Sequence, residues 1–375
     1  MRALIAACAA ASVQAGKFED FLAHSNANPS NGNFTPIIVT IDGKEKTKYI
    51  ASECCTSAGY DYVCPMNCRG YIIEDKEFDV RHPNFFDVDL SGASVEFDVD
   101  NSEHECGCFN TIYTVSMPGI DAAGKPDMID GYYYCDANAV GGELCPEMDL
   151  MESNKYAFQT TPHQCDEPDK LGHYSKCDGA GSAQNSVTVL GEKDYGPGSE
   201  YKIDTTKSFH VKIDFNNSTD GSFAGVTTTI AQGDKNVTMV NADKPYTKNM
   251  TEALKKQVFV ISNWEGDDSW LRKDRCNSTC SGDPVQQIRN ITITTGTGPS
   301  PPVPGPYDPA DFTYGDPCDS KSDDLCGEVG CPSVDHCRFS WPNGSDWKDK
   351  NAHCRCDEIP TAASNTEGAE IPTVA

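Results

Sequence analysis

Apolar and polar residues alternate with a period of two in three well separated stretches of the chain. SVEFDVD puts Val95, Phe97 and Val99 on one side, SFHVKIDF does the same with Phe209, Val211, Ile213 and Phe215, and RNITIT with Ile291 and Ile293. A period of two is the signature of a strand with one buried face. Turn-forming runs such as DGKEK, AAGKPD, DYGPGSE and QGDKN separate these stretches, and the one convincing helical pattern is TEALKKQ at 251–257. The pattern predicts an all-β sandwich.

The alternation stops at Gly296, where GTGPSPPVPGPYDPAD begins; so proline-rich a run forms neither strand nor helix and acts as a semi-rigid spacer. The expected organisation is a signal peptide over 1–15, a catalytic unit over 16–296, a linker over 297–313, a cysteine-rich module over 314–358 and a disordered tail over 359–375. The signal is read from Arg2, the short apolar run that follows it, and small residues ending at Ala15. No later stretch is apolar for long enough to span a bilayer, so the expected protein is soluble and secreted, with no membrane partner.

Cysteine usage supports that compartment. Of 19 cysteines, Cys8 falls in the signal, twelve lie between Cys54 and Cys280, and six between Cys318 and Cys356, so each block is even and can close on itself. Sequons at Asn33, Asn216, Asn217, Asn236, Asn249, Asn277, Asn290 and Asn343 fit passage through a glycosylating route. A formal charge of −27 excludes nucleic acid and anionic membranes, which need a basic footprint, and points to a neutral or cationic ligand.

The candidate chemistry lies in CPEMDLMESN at 145–154. Glu147, Asp149 and Glu152 stand there among Met148, Leu150 and Met151. Buried charges are costly, so three of them in a half-apolar strand point to a functional site. On a regular strand Glu147 and Asp149 share a face and Glu152 faces away; a β-bulge would bring it back. Two carboxyls about 5 to 5.5 Å apart can act as nucleophile and acid/base in a retaining glycosidase. A solvated edge strand and a calcium site are the alternatives.

CPEMDLMES followed by TPHQC at 161–165 resembles the catalytic strand of glycoside hydrolase family 7, whose pattern is Glu-x-Asp-x-x-Glu with Thr-Pro-His-x-Cys after it. EFDVD, YTVSM at 113–117, YCDAN at 134–138, GPGSEYKIDTTK at 196–207 and VISNWEGDDSWL at 260–271 follow in the family's order, so the resemblance covers about residues 45–296. It implies a concanavalin-like β-jelly-roll sandwich with no metal or organic cofactor. It further implies Glu147 as nucleophile, Asp149 as its partner, Glu152 as acid/base and His163 as neighbour of the acid/base. Tyr113, Asp136 and Asn138 match substrate-contacting positions, Trp264 and Trp270 match sugar-stacking tryptophans, and Arg272 or Arg275 fills a family arginine. The implied disulfides are Cys135 with Cys145, Cys165 with Cys177, Cys106 with Cys276, Cys108 with Cys280, and the four from Cys54 to Cys68 among themselves.

The chain departs from the family in places. Only ANAVGGEL separates YCD from CPEMD, where a long loop is usual, and Asn138 replaces a usual Gln. Fewer loops imply an open cleft and internal attack. The implied protein is a secreted, monomeric retaining endo-β-1,4-glucanase acting on cellulose or a related β-glucan. A β-1,3-glucanase and a non-catalytic carbohydrate-binding protein are the alternatives. In the C-terminal module, Phe339, Trp341 and Trp347 suggest a flat cellulose-binding face, against a structural knot or a zinc site at His336, Cys337, His353 and Cys354.

Overall fold

The structure, a computed structural model, describes residues 33–76, 84–126, 132–140, 142–241, 246–272, 275–277 and 279–296, together with two short strands nearer the C-terminus. The expected signal, the whole linker, the tail and the module aromatics Phe339, Trp341 and Trp347 lie outside the described residues. The chain divides into two compact units, Met1–Pro306 and Tyr307–Ala375, with the division inside the proline-rich run. In the second unit the strands Cys337–Arg338 and Arg355–Cys356 pair antiparallel.

The first unit is built on one sixteen-stranded mixed sheet. Phe158–His163, Glu147–Ser153, Cys108–Val115, Gln257–Glu265, Cys68–Ile73 and Lys44–Ser52 lie side by side in that order. Asn33–Ile41 follows and joins them, by a parallel pairing, to Gln286–Thr294, and then come Ser94–Asp100, Phe209–Asn217, Phe223–Gln232 and Lys235–Asn241. The two series pack face to face. Ile112, Met148, Leu150, Phe158, Phe259 and Ile261 from the first share one buried cluster with Phe97, Val211, Ile213, Val226, Ile230 and Ile293 from the second. Each such side chain contributes roughly 1.5–3 kcal/mol on burial, so the alternating positions drive the fold.

The three stretches of alternation form strands, and Ser94–Asp100 shows them most plainly, half-buried and buried by turns. DGKEK turns as a two-residue hairpin: Asp42 and Gly43 take φ of 48° and 71°, the left-handed pair that suits a twisted hairpin. The helix is shorter and earlier than TEALKKQ predicts, spanning Lys248–Ala253. Thr247 caps it, its hydroxyl accepting from the Met250 amide at 3.2 Å. Gln257 belongs instead to a strand, where it accepts from the Thr114 hydroxyl and donates to Ser116, so cross-strand bonding overrides helical propensity.

The central strands of the first series lack a solvated face. Cys108–Val115 is buried at every position, and Glu147–Ser153 at every position but Glu152. A second cluster, including Tyr71, Phe85, Tyr113, Tyr132, Tyr134, Val258 and Val260, covers part of the face turned away from the main core. The carboxylates stand on that face. Among the described residues, six disulfides pin the loops and strand ends: Cys54–Cys68, Cys55–Cys64, Cys106–Cys276, Cys108–Cys280, Cys135–Cys145 and Cys165–Cys177.

Candidate active site

A β-bulge sets the three carboxylates side by side. Glu147, Asp149 and Glu152 pair with Val115, Tyr113 and Thr111 on one neighbouring strand and with His163, Thr161 and Gln159 on the other. Both partner series step by two, so all three acids share a face even though their own spacing is two and then three. The extra residue is absorbed around Leu150, and Leu150 and Met151 are both fully buried against the main core. Two consecutive apolar residues therefore anchor the strand while both glutamates point away from the core.

Asp149 is tied to His163, whose Nε2 lies 2.9 Å from Asp149 Oδ2. His163 Nδ1 lies 2.8 Å from the Asp178 carbonyl oxygen, which only accepts, so Nδ1 carries a proton. Both ring nitrogens donate. Burial alone would lower the imidazole's affinity for its proton, but the bond and charge of Asp149, the Glu147 charge and the Asp178 carbonyl raise its pKa to about 10. One ligand atom each from Glu147, Asp149 and His163 lies within 4.8 Å of the other two, a set that could surround a cation.

The ring of His163 rests against a glycine. Gly181 takes φ of +61°, and a Cβ there would come 2.4 Å from Thr161 Cγ2 and 2.7 Å from His163 Cε1. Gly181→Ala is therefore expected to push the imidazole off Asp149 and to lower kcat by about 10²-fold. Steady-state kinetics beside a thermal melt checks this; unchanged kcat would free His163 of the tight packing described.

Glu147 accepts from the Ala137 amide at 3.0 Å through Oε2. Burial first, then the charges of Asp149 and Asp136, push its carboxyl well above the ordinary range, while His163 and the Ala137 amide pull it down. Glu152 is half-buried; burial and then the Asp149 charge push its carboxyl well above the ordinary range too, while His163 pulls it down. Asp136 accepts from the amides of Asn138 and Val140 at 2.8 and 2.9 Å, and burial raises its pKa against those bonds. Tyr113 contacts the Tyr134 hydroxyl at 3.1 Å, and burial pushes its phenol up to about 12. Asn138, more exposed, donates to the Gly179 carbonyl at 3.3 Å.

Raised pKa values link this site to stability. A group held protonated in the fold stabilises fully below its unfolded pKa, and that contribution disappears as pH rises through its folded pKa. Glu147, Glu152 and His163 all act in this direction, the last losing its contribution between about 6.5 and about 10. The melting temperature is expected to fall as pH rises from 7 to 10, and less steeply in His163→Gln. Melts across that range test it; equal slopes would remove His163 from the account.

Trp264 also stands on the carboxylate face. It pairs across strands with Phe109, which continues the series Val115, Tyr113, Thr111 in steps of two. Trp270, 37% exposed, projects from the short helix Ser269–Arg272. Of the two candidate arginines, Arg272 Nε donates to Asp268 at 2.6 Å, and Arg275 Nη1 donates to the carbonyl oxygens of Glu192 and Tyr195.

Sequence reasoning missed Arg69, Gln159, Asn185 and Phe109. Arg69 is buried, its guanidinium 3.8 Å from the Tyr134 ring centroid, and it faces Ser262 on the adjoining strand. Its signal was a lone cation at the head of CRGYII, a strand buried throughout. Asn185 donates to Gln159, the cross-strand neighbour of Glu152, and to the Leu271 carbonyl, tying the Trp270 helix to the carboxylate strands. No local pattern announces that link.

Comparison with known proteins agrees with this geometry. Residues 133–274 match the model of glycosyl hydrolase family 7. The chain is 27% identical over 312 residues to endoglucanase type C of Fusarium oxysporum, covering 64% of this chain and 71% of that one. It is 32% identical over 149 residues to endoglucanase 1 of Humicola insolens, a match to 34% of this chain and 37% of that relative. The chain thus spans little more than a third of the second relative. Among solved structures, an endoglucanase I complexed with cellobiose superposes with a TM-score of 0.54 at 19% identity, over 70% of this chain and 96% of that one. A cellobiohydrolase from Melanocarpus albomyces complexed with cellotetraose gives 0.53 at 16%, over 72% and 98%. At those identities the likeness is one of fold.

Proposed function

We propose that this chain, which matches glycosyl hydrolase family 7 over residues 133–274, is a retaining endo-β-1,4-glucanase of that family acting on cellulose or a related β-glucan. The observation that carries the reading is the bulged strand, which sets Glu147, Asp149 and Glu152 on one face beside His163. Retaining hydrolysis needs one ionised and one protonated carboxyl on that face. The order of the motif supplies the roles, and the Ala137 amide that donates to Glu147 supports an ionised carboxylate there. Glu147 is the nucleophile and Glu152 the acid.

In the first step Glu147 attacks the anomeric carbon while Glu152 gives its proton to the departing glycosidic oxygen, leaving a glycosyl ester on Glu147. In the second, Glu152, now ionised, takes a proton from water, the water oxygen bonds to the anomeric carbon, and Glu147 leaves as carboxylate. Asp149, fixed by His163, holds negative charge beside both and keeps their proton affinities high. Tyr113 stands across from Asp149, the Asp136 charge reaches Glu147, and Trp264 and Trp270 offer ring faces to the pyranose C–H face. Secretion through an oxidising route fits the six disulfides.

The test is release of reducing ends and loss of viscosity with carboxymethyl-cellulose, beside a β-1,3-glucan. Endo attack predicts a steep viscosity drop at few cuts on the first substrate. Binding to cellulose with hydrolysis of neither glucan would overturn the enzymatic reading.

A further inference from the structure

We infer that Phe109 is the positioning residue of the aromatic platform, setting the pose in which Trp264 meets a glucan chain. The inference rests on the function proposed above. Phe109 and Trp264 are direct cross-strand partners, and their rings lie parallel, 3.8 Å between centroids and 7° between planes. The same phenyl ring stacks on Trp270 at 5.5 Å and 15°. It is the ring on which both tryptophans rest, and it is wholly buried, so it acts on sugar only through them.

Other contacts keep the stack in register. Cys108, next to Phe109, is bridged to Cys280. The amide of Gly266 donates to the Gly107 carbonyl at 2.9 Å, and a Cβ on Gly266 would come 3.1 Å from Trp264 Cζ3. The Trp270 helix is held by Asp268, which accepts from Arg272 and from Asn154 at 3.0 Å, just past the carboxylate strand. Trp264 therefore has one face against Phe109 and an edge against Gly266, which fixes its tilt on the strand. A flat ring at position 109 is required: a branched side chain of similar bulk fills the space but leaves Trp264 free to rotate.

The experiment measures cellotetraose binding by calorimetry on the full chain carrying Glu147→Gln, then with Phe109→Leu, Trp264→Ala or both added. Phe109→Leu is expected to weaken binding about 3- to 10-fold, and Trp264→Ala to add little in its presence, since both act through one platform. Gly266→Ala, which presses on the same ring from its edge, is expected to weaken binding as well and serves if Phe109→Leu does not fold. A purely structural phenylalanine would lower the melting temperature and leave Kd unchanged. Unchanged Kd in Phe109→Leu and Gly266→Ala, or additive effects of Phe109→Leu and Trp264→Ala, overturns the inference. If the Glu147→Gln parent binds no cellotetraose and the wild-type chain cuts no glucan, the proposed function fails as well.

Discussion

Glu147→Gln is expected to lower turnover of soluble β-glucan by three orders of magnitude or more, to about 10⁻³ of wild type or below, with the fold and Kd for cello-oligosaccharides retained. The amide has nearly the shape of the carboxylate and can still accept from Ala137, but it cannot form the glycosyl ester. Glu152→Gln should lose a comparable amount with natural substrates and far less with an aryl glucoside whose leaving group departs unprotonated. Azide separates the two roles. With Glu147→Ala, azide occupies the vacated side of the sugar and gives the α-glycosyl azide. With Glu152→Ala it attacks the glycosyl ester and gives the β-anomer. The reverse pairing of products would exchange the assignments, and a Glu147→Gln enzyme within tenfold of wild type would end the nucleophile role.

Asp149→Asn is expected to lower kcat by about 10²-fold at pH 7 and to move the whole pH–rate profile toward acid. Asp149 raises the pKa of both glutamates, and for both its effect outranks that of His163. Removing the charge makes each easier to ionise. The acid limb, where the nucleophile must lose its proton, moves down. The alkaline limb, where the acid must keep its proton, moves down with it; both limbs report the coupled pair. His163 loses the partner that holds its proton, so above about pH 6.5 the site loses a cation as well. Activity at pH 5 should accordingly survive better than at pH 7. Profiles of kcat/KM from pH 3 to 9 test this, and a profile of unchanged position would mean that Asp149 serves only to orient.

The strands whose two faces meet different surroundings were legible in the sequence. Val95, Phe97 and Val99 alternate because their outer neighbours meet solvent. Cys108–Val115 and Gln257–Glu265 were not legible in that way, because both of their faces are covered and a period of two vanishes. The spacing of Glu147, Asp149 and Glu152 demanded a bulge, and the register holds one there. His163 could be tied to the acids only by resemblance; the 2.9 Å contact with Asp149 comes from a neighbouring strand fourteen residues on. Phe109 and Trp264 are 155 positions apart, and nothing local to either marks them as a stacked pair. Side chains whose partners are remote are set by sheet order, which alternation does not encode.

The bridges Cys106–Cys276 and Cys108–Cys280 join cysteines 170 and 172 positions apart. A chain made from its N-terminus exposes Cys106 and Cys108 early, and they stay unpartnered until almost the whole first unit has left the ribosome. Bridges spanning nine to fourteen positions, such as Cys55–Cys64 and Cys135–Cys145, can close long before. The carboxylate strand is thus complete well ahead of Trp264, Trp270 and the bonds that hold them. Maturation of this protein is a late event at the stacked rings of Phe109 and Trp264, and its oxidative folding machinery must keep two thiols available while 170 to 172 further residues are made.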